Sequence, residues 1–231
     1  MQLNQVKALV TGGVSGLGLA TVKYILENGG NAVMLDVNDE AGAAAAAETG
    51  ARYLNTDVTS EEKVIESARQ AAETMGGLNA AVNCAGIIGA GRVLGREAPL
   101  PLSLFSTTIN INLVGSFNVA KAAADLMQHN EAGEDGEKGV IINTASVAAY
   151  EGQIGQAAYS ASKAGLVGMT LPMARELSRF GIRVVTIAPG IFWTPMVDGM
   201  PEHIQESLSA SIPVPSRLGR PEEFAELACT I

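Results

Sequence analysis

Tyr159 and Lys163 stand four residues apart in the stretch AAYSASKAG, Ala157 to Gly165. On a helix that spacing puts a phenol and an ammonium on one face. A free tyrosine has a pKa of about 10 and exchanges protons poorly at neutral pH. Bringing that pKa to about 7 takes roughly 4 kcal/mol. One cation about 4 Å away supplies roughly that much at an effective dielectric near 20. The pair can therefore move a proton to or from an alcohol or carbonyl oxygen. Most Tyr-x-x-x-Lys pairs lie on solvated helix surfaces, so this reading depends on the rest of the chain.

A second chemical signal is TGGVSGLG, Thr11 to Gly18. Gly12, Gly16 and Gly18 follow a short apolar run and open a helical pattern, with Ser15 and Leu17 between them. The spacing is G-x-x-x-G-x-G rather than G-x-G-x-x-G. Glycines without a Cβ let a pyrophosphate approach the backbone, and the helix start offers free N–H groups to the anion. Asp36 follows 18 residues after Gly18, at the end of the next apolar run. There a carboxylate can accept from the ribose hydroxyls of NAD, and it repels the 2′-phosphate of NADP. A helix-cap or turn role is the alternative reading of Asp36. Asp57 and Val58 end a third run, where a carboxylate and a backbone N–H are expected to hold an adenine.

These residues need elements to position them. KALVTG, NAVMLD, RYLNTD, LNAAVNCAG, GVIINTAS and IRVVTIAPG read as six apolar strands. Helical stretches lie between them: GLATVKYILENG closed by Gly29, DEAGAAAAAETG, EEKVIESARQAAETM capped by Thr59 or Ser60, a long helix over Leu102–Met127, and YSASKAGLVGMTLPMARELS. Alternating strands and helices with nearly continuous apolar strands predict an α/β fold, a mainly parallel sheet with helices on both faces. NEAGEDGEKG reads as a polar loop. The span 191–220 breaks the rhythm with Pro195, Pro201, Pro213 and Pro215 and is expected to be a substrate lid over the carboxyl edge of the sheet.

Composition narrows the class. The 231 residues are 47% hydrophobic, 17% charged and 4% aromatic, enough for a sizeable core. A net charge of -9 argues against nucleic acid and anionic lipid as partners. No apolar run reaches a membrane span. Cys84 and Cys229 have no CxxC or zinc spacing and read as small buried thiols, and His129 and His203 have no second ligand near them, so no metal is expected. MQLNQVKALVTGG has no basic stretch followed by an apolar run, so no signal peptide is expected there, and a cytoplasmic location is expected.

NCAG (Asn83 to Gly86), NINLVG (Asn110 to Gly115), NTASVAAY (Asn143 to Tyr150) and YSASK (Tyr159 to Lys163) follow TGGVSGLG in order. Together they resemble the classical short-chain dehydrogenase/reductase family over essentially the whole chain. The resemblance implies a doubly wound Rossmann fold and one NAD-binding catalytic domain over 1–231, assembled as a homodimer or homotetramer through the helices at Leu102–Met127 and Tyr159–Arg179. It implies four catalytic residues: Asn112, Ser146, Tyr159 and Lys163. Tyr159 exchanges the proton, Ser146 donates to the substrate oxygen, and Lys163 supports Tyr159 and holds the ribose. Asn112, chosen over Asn110 for its Leu-x-Gly context, holds water near Lys163. Asn83, Ala85, Gly86, Pro189, Gly190 and Thr194 are implied cofactor contacts.

The stretch from Gly139 to Leu177, with PVPSRLG, is most similar to the type II 3-hydroxyacyl-CoA dehydrogenase subfamily. An acyl-CoA or other hydroxy or keto compound is the implied substrate. The alternatives are a 3-oxoacyl-carrier-protein or acetoacetyl-CoA reductase, against which Asp36 speaks, and a non-catalytic NAD-sensing protein. Animal members of the subfamily are mitochondrial, which makes the mitochondrial matrix the alternative location. The family pattern continues past PEEFAELACTI into a further strand, so a truncated or disordered tail is expected after Ile231.

Overall fold

The computed structural model describes residues 1–198 and 202–231. Its described residues form a six-stranded sheet in the order β3-β2-β1-β4-β5-β6. The strands are β1 (Lys7–Thr11), β2 (Asn31–Asp36), β3 (Arg52–Asn55), β4 (Ala80–Asn83), β5 (Gly139–Thr144) and β6 (Ile182–Ile187). Every pairing is parallel.

Strand periodicity explains how the sheet is covered. Leu9, Val33, Leu35, Ala81 and Ile141 face one way and pack on α3 (Glu61–Met75) and α5 (Gly115–Met127). Their neighbours Ala8, Val10, Met34, Val82 and Ile142 face the other way and pack on α1 (Gly16–Glu27) and α2 (Asp39–Thr49). Because successive side chains alternate faces and both faces are buried, the strands read as continuous apolar runs. The fold is a doubly wound Rossmann arrangement, as expected. Its strand order reverses between β1 and β4, and the crevice at that switch point is where such sheets bind ligands.

The expected long helix over Leu102–Met127 is present but not uniform. It consists of α4 (Leu102–Ile109), a π-helical turn over Asn110–Val114, and α5. The Gly115 N–H donates to the Asn110 carbonyl, five residues back. That extra residue breaks the 3.6-residue rhythm and is a common device at functional sites. It turns Asn112 fully inward. A Cβ at Gly115 would stand 2.5 Å from Val58 Cγ2, so the glycine lets Val58 close on this helix.

α6 (Ala157–Leu177) carries Tyr159 and Lys163 on its first two turns. Beyond β6 come α7 (Pro195–Asp198), α8 (Glu202–Ala210) and α9 (Pro221–Thr230). The span 191–220 includes residues 199–201, which lie outside the described residues. Its base is tied down: Trp193 N donates to Gly219 O at 2.7 Å and Gly219 N to Ile191 O at 2.9 Å.

Candidate active site

One cleft of about 1030 Å³ runs along the carboxyl ends of the strands. It gathers Gly12, Ser15, Gly16, Leu17, Gly18, Asp36, Asp57, Val58, Ala85, Gly86, Ser146, Tyr159, Lys163, Pro189, Gly190 and Thr194. Residues from seven separate chain segments thus meet in one concavity. Asn83 and Asn112 do not line it.

The glycine turn has a steric reason. Gly12 and Gly16 take positive φ of 61° and 50°. A Cβ on Gly12 would come within 2.9 Å of Ala85 N, and one on Gly18 within 2.2 Å of Gly12 O. Only glycine allows this packing of the turn against β4. No side chain caps α1, whereas Asn38 and Ser60 cap α2 and α3. The first N–H groups of α1 border the cleft, as an anion site requires. Asp36 Oδ1 accepts from the N–H groups of Val37 (2.8 Å) and Asn38 (3.1 Å). The turn role and the cleft position therefore coexist. Asp57 Oδ1 is occupied by Thr59, accepting from its N–H at 2.9 Å and its hydroxyl at 2.7 Å. The chain thus offers a glycine cradle, an uncapped helix start and a carboxylate in one extended cleft. These fit a dinucleotide.

The reacting end is built from β5, α6 and the loop after β6. Ser146 Oγ accepts from Ala148 N at 3.1 Å, which leaves its O–H to donate elsewhere. Val147 N donates to Pro189 O at 2.9 Å and couples this loop to Pro189-Gly190. Lys163 is 5% exposed, and its Nζ donates to the Thr144 carbonyl at 2.6 Å. Burial pulls its ammonium down to about 8. Lys163 Nζ lies 5.6 Å from the centre of the Tyr159 ring.

The electrostatics correct the first expectation. Burial pushes the Tyr159 phenol above its ordinary value, opposed by a hydrogen bond from Ser146. Lys163 does not bring Tyr159 to neutrality by itself. The desolvation that raises the phenol also weakens the lysine's charge, because burial disfavours the charged form of both groups.

Two expected site residues are buried and tied into the scaffold. Asn83 is buried, with Nδ2 donating to Asn143 Oδ1 at 2.9 Å and to Ser116 O at 3.2 Å. It ties β4 to β5 and α5 beneath the cleft floor. Asn112 Oδ1 accepts from Ile87 N at 2.8 Å, and Nδ2 donates to Ile87 O at 2.9 Å and Ser162 Oγ at 3.0 Å. Both its amide donors are used, and its Oδ1, which accepts once here, keeps a second lone pair. It also positions its neighbours. Ser162 Oγ donates to the Tyr159 carbonyl at 2.7 Å, so Asn112 braces the first turn of α6. Asn112 and Lys163 both border Gly86, where a Cβ would stand 3.1 Å from Asn112 Oδ1 and 3.7 Å from Lys163 Nζ.

Sequence reading missed Thr144 and Ser162. Thr144 acts through its carbonyl, which no side-chain pattern reveals. Ser162 lies inside YSASK, and its spacing of three from Tyr159 was the available signal. Cys84, read as a buried thiol, lines the cleft beside Thr144, with Sγ 3.4 Å from Thr144 Oγ1. Burial pushes that thiol to about 11, so it stays protonated at neutral pH. Among the described residues no helix is long and apolar enough to cross a membrane, and no His, Cys, Asp or Glu cluster suits a metal.

A model of the short chain dehydrogenase family matches residues 6–205. The 3-hydroxyacyl-CoA dehydrogenase type-2 of Bos taurus is 49% identical over 228 residues, spanning 97% of this chain and 87% of the bovine protein. The Homo sapiens protein of that name is 48% identical over the same length and shares. The crystal structure of 3-hydroxyacyl-CoA dehydrogenase type-2 from Mycobacterium avium superposes with a TM-score of 0.93 at 42% identity, covering 99% of this chain and 90% of that one. Similarity of this depth along nearly the whole chain, on a cleft that fits a nicotinamide dinucleotide, places the protein in the short chain dehydrogenase family, as an oxidoreductase.

Proposed function

We propose that the protein is an NAD-dependent dehydrogenase that interconverts a secondary alcohol and a ketone, with a 3-hydroxyacyl-CoA as the alcohol. The observation that carries the reaction type is the convergence of Ser146, Tyr159 and Lys163 with the glycine turn in one cleft. The substrate class rests on the relatives at 48–49% identity that carry the 3-hydroxyacyl-CoA dehydrogenase name. The glycine turn, Asp36 and Lys163 would hold a nicotinamide dinucleotide, which would supply the hydride acceptor for oxidation, the hydride donor for reduction and, when oxidised, a positive charge in the cleft.

Tyr159 takes the hydroxyl proton as the alcohol is oxidised and gives it back when the ketone is reduced. Ser146 turns its O–H from the phenol to the substrate oxygen and holds it beside Tyr159. Lys163, anchored on the Thr144 carbonyl, supplies the buried ammonium behind Tyr159. Asn112 and Ser162 hold the α6 turn that carries the phenol. Ile191, Phe192, Thr194, Val197 and Leu208 border the cleft from the span 191–220, which supports the reading of that span as a substrate lid on a single domain over 1–231. Oxidation of 3-hydroxyacyl-CoA thioesters, followed as NADH absorbance beside steroid and short-chain alcohol substrates, tests the proposal. Activity on the other classes alone would overturn the substrate assignment.

Asp36 sets the choice of nicotinamide. The wild type is expected to prefer NAD over NADP strongly, and Asp36→Ala to narrow the preference by about tenfold or more, because it removes both an acceptor and a repulsive charge. The ratio of kcat/KM values for the two cofactors measures this. Equal wild-type values would refute it.

The assembly is expected to be at least a dimer. Leu102, Val114, Phe117 and Leu171 are exposed on the α4–α5 and α6 helices, and a neighbouring copy would cover them. Light scattering at micromolar concentration that gave a monomer mass would count against this.

A further inference from the structure

The end of β2 carries more than Asp36. Two side chains of the edge strand β3 reach across the turn that follows it. The Tyr53 hydroxyl lies 3.1 Å from the Asp36 carbonyl oxygen and 2.9 Å from Asp39 Oδ1. Asn55 Nδ2 donates to the Val37 carbonyl at 3.3 Å and to Asp39 Oδ1 at 2.8 Å. Asn38 Oδ1 caps α2, accepting from Ala41 N at 3.0 Å. Each residue from Asp36 to Asp39 is therefore tied either to β3 or to the start of α2.

The sequence makes this arrangement possible at two points. Asp39 stands in the first turn of α2, where the helix dipole favours a carboxylate. Gly42, on the next turn, has no side chain. A Cβ there would come within 2.5 Å of the Tyr53 ring, so the ring can lie against the α2 backbone only at a glycine. Burial, then Asp39, pushes the Tyr53 phenol up to about 12, so the hydroxyl remains a donor at working pH.

We propose that Asp39, Tyr53 and Asn55 form a brace that determines cofactor choice by fixing the turn that carries Asp36. The proposal rests on the NAD-dependent reading above. Selectivity is a difference of affinities, and a repulsive group discriminates only if it cannot move aside. A carboxylate on a loose turn would swing away from a 2′-phosphate and lose most of its effect. Here Asp36 Oδ1 is held by its own turn, and that turn is held by two carbonyl acceptors shared with β3. Asp39 adds a second negative charge next to it. Tyr53, Asn55 and Asp39 are positioning residues and need not touch the cofactor.

Titration calorimetry with NADH and with NADPH, alongside thermal melting of the ligand-free protein, tests the brace. Tyr53→Phe keeps the ring under α2 and removes only the hydroxyl. It should weaken NADH about 3- to 10-fold, the worth of one hydrogen bond expressed as an equilibrium constant. NADPH should not weaken in step, so the preference narrows. Asn55→Ala should act in the same direction. Asp39→Asn keeps the Oδ1 acceptor and removes the charge, so it should tighten NADPH more than NADH. A purely structural role would lower the melting temperature and leave the ratio of the two dissociation constants unchanged, and that result overturns the brace. If Tyr53→Phe does not fold, Asn55→Ala and Asp39→Asn decide the question on the same ratio. A wild type that binds NADPH as tightly as NADH would instead overturn the NAD assignment itself, and the brace with it.

Discussion

Tyr159→Phe is expected to lower turnover by about two to four orders of magnitude, the usual worth of a positioned acid–base, while NADH binding survives. The phenyl ring keeps its packing beside Lys163. The glycine turn and Asp36 are left unaltered by the change. Only the transferable proton and the hydrogen bond from Ser146 are lost. The pH dependence adds a second check. Oxidation needs the phenolate as proton acceptor, so its rate should rise with pH. Ketone reduction needs the neutral phenol, so its rate should fall. Burial holds Tyr159 above its ordinary value, which places the oxidation limb on the basic side of neutrality unless positive charge enters the cleft. Rates in both directions against pH, at saturating cofactor, measure these effects. A phenylalanine variant with near-normal turnover would mean that another group carries the proton.

Lys163→Met should have an equally large kinetic effect and an unusual thermodynamic one. Removing a preorganised buried charge costs on the order of 10²-fold or more in turnover, and the oxidation limb should move to still higher pH. Cofactor affinity should fall, since Lys163 lines the cleft at the expected ribose position. Stability should behave differently. Burial lowers the lysine from 10.5 to about 8 in the folded protein. The unfolded chain therefore binds more protons between these values, and the folded state gains stability as pH rises. Below pH 8 the buried ammonium costs about 3 kcal/mol, and the cost fades towards pH 10.5. Denaturant unfolding across that window should show the wild type gaining on the methionine variant, whatever constant offset the lost hydrogen bond to Thr144 adds. A stability difference that does not change with pH would show that Lys163 is not held as a depressed, buried cation.

These two residues also show how far a sequence can be read. Their i,i+4 spacing is a local property, and on a helix it leaves one arrangement of the pair. The same holds for the strands. Leu9 and Val10 alternate faces because strand geometry demands it, and two buried faces follow from uninterrupted apolar runs. TGGVSGLG between a strand and a helix is local too, as is Asp36 at a strand end. Fold class, glycine cradle and the Tyr159–Lys163 pair were therefore legible in the chain.

Other properties depend on residues that are distant in sequence. Asn112 was legible as a special position, but its side chain turns onto Ile87 because a π-helical turn inserts one residue at Asn110–Val114. Asn83 sits in a motif with Ala85 and Gly86, yet one residue's difference along β4 sends it beneath the floor to Asn143 and Ser116. Of the two candidate caps for α3, Ser60 accepts from Lys63 N while Thr59 turns back to Asp57. The direction of the Tyr159 shift was a contest between a cation and desolvation, and only the packed structure sets the depth of burial that decides it. Spacing along the chain determines which face a side chain takes. Which partner it meets there, and how much water remains around it, is decided when β5, α6 and the loop after β6 close on one another, because hydrogen bonding and desolvation act through space and not along the sequence.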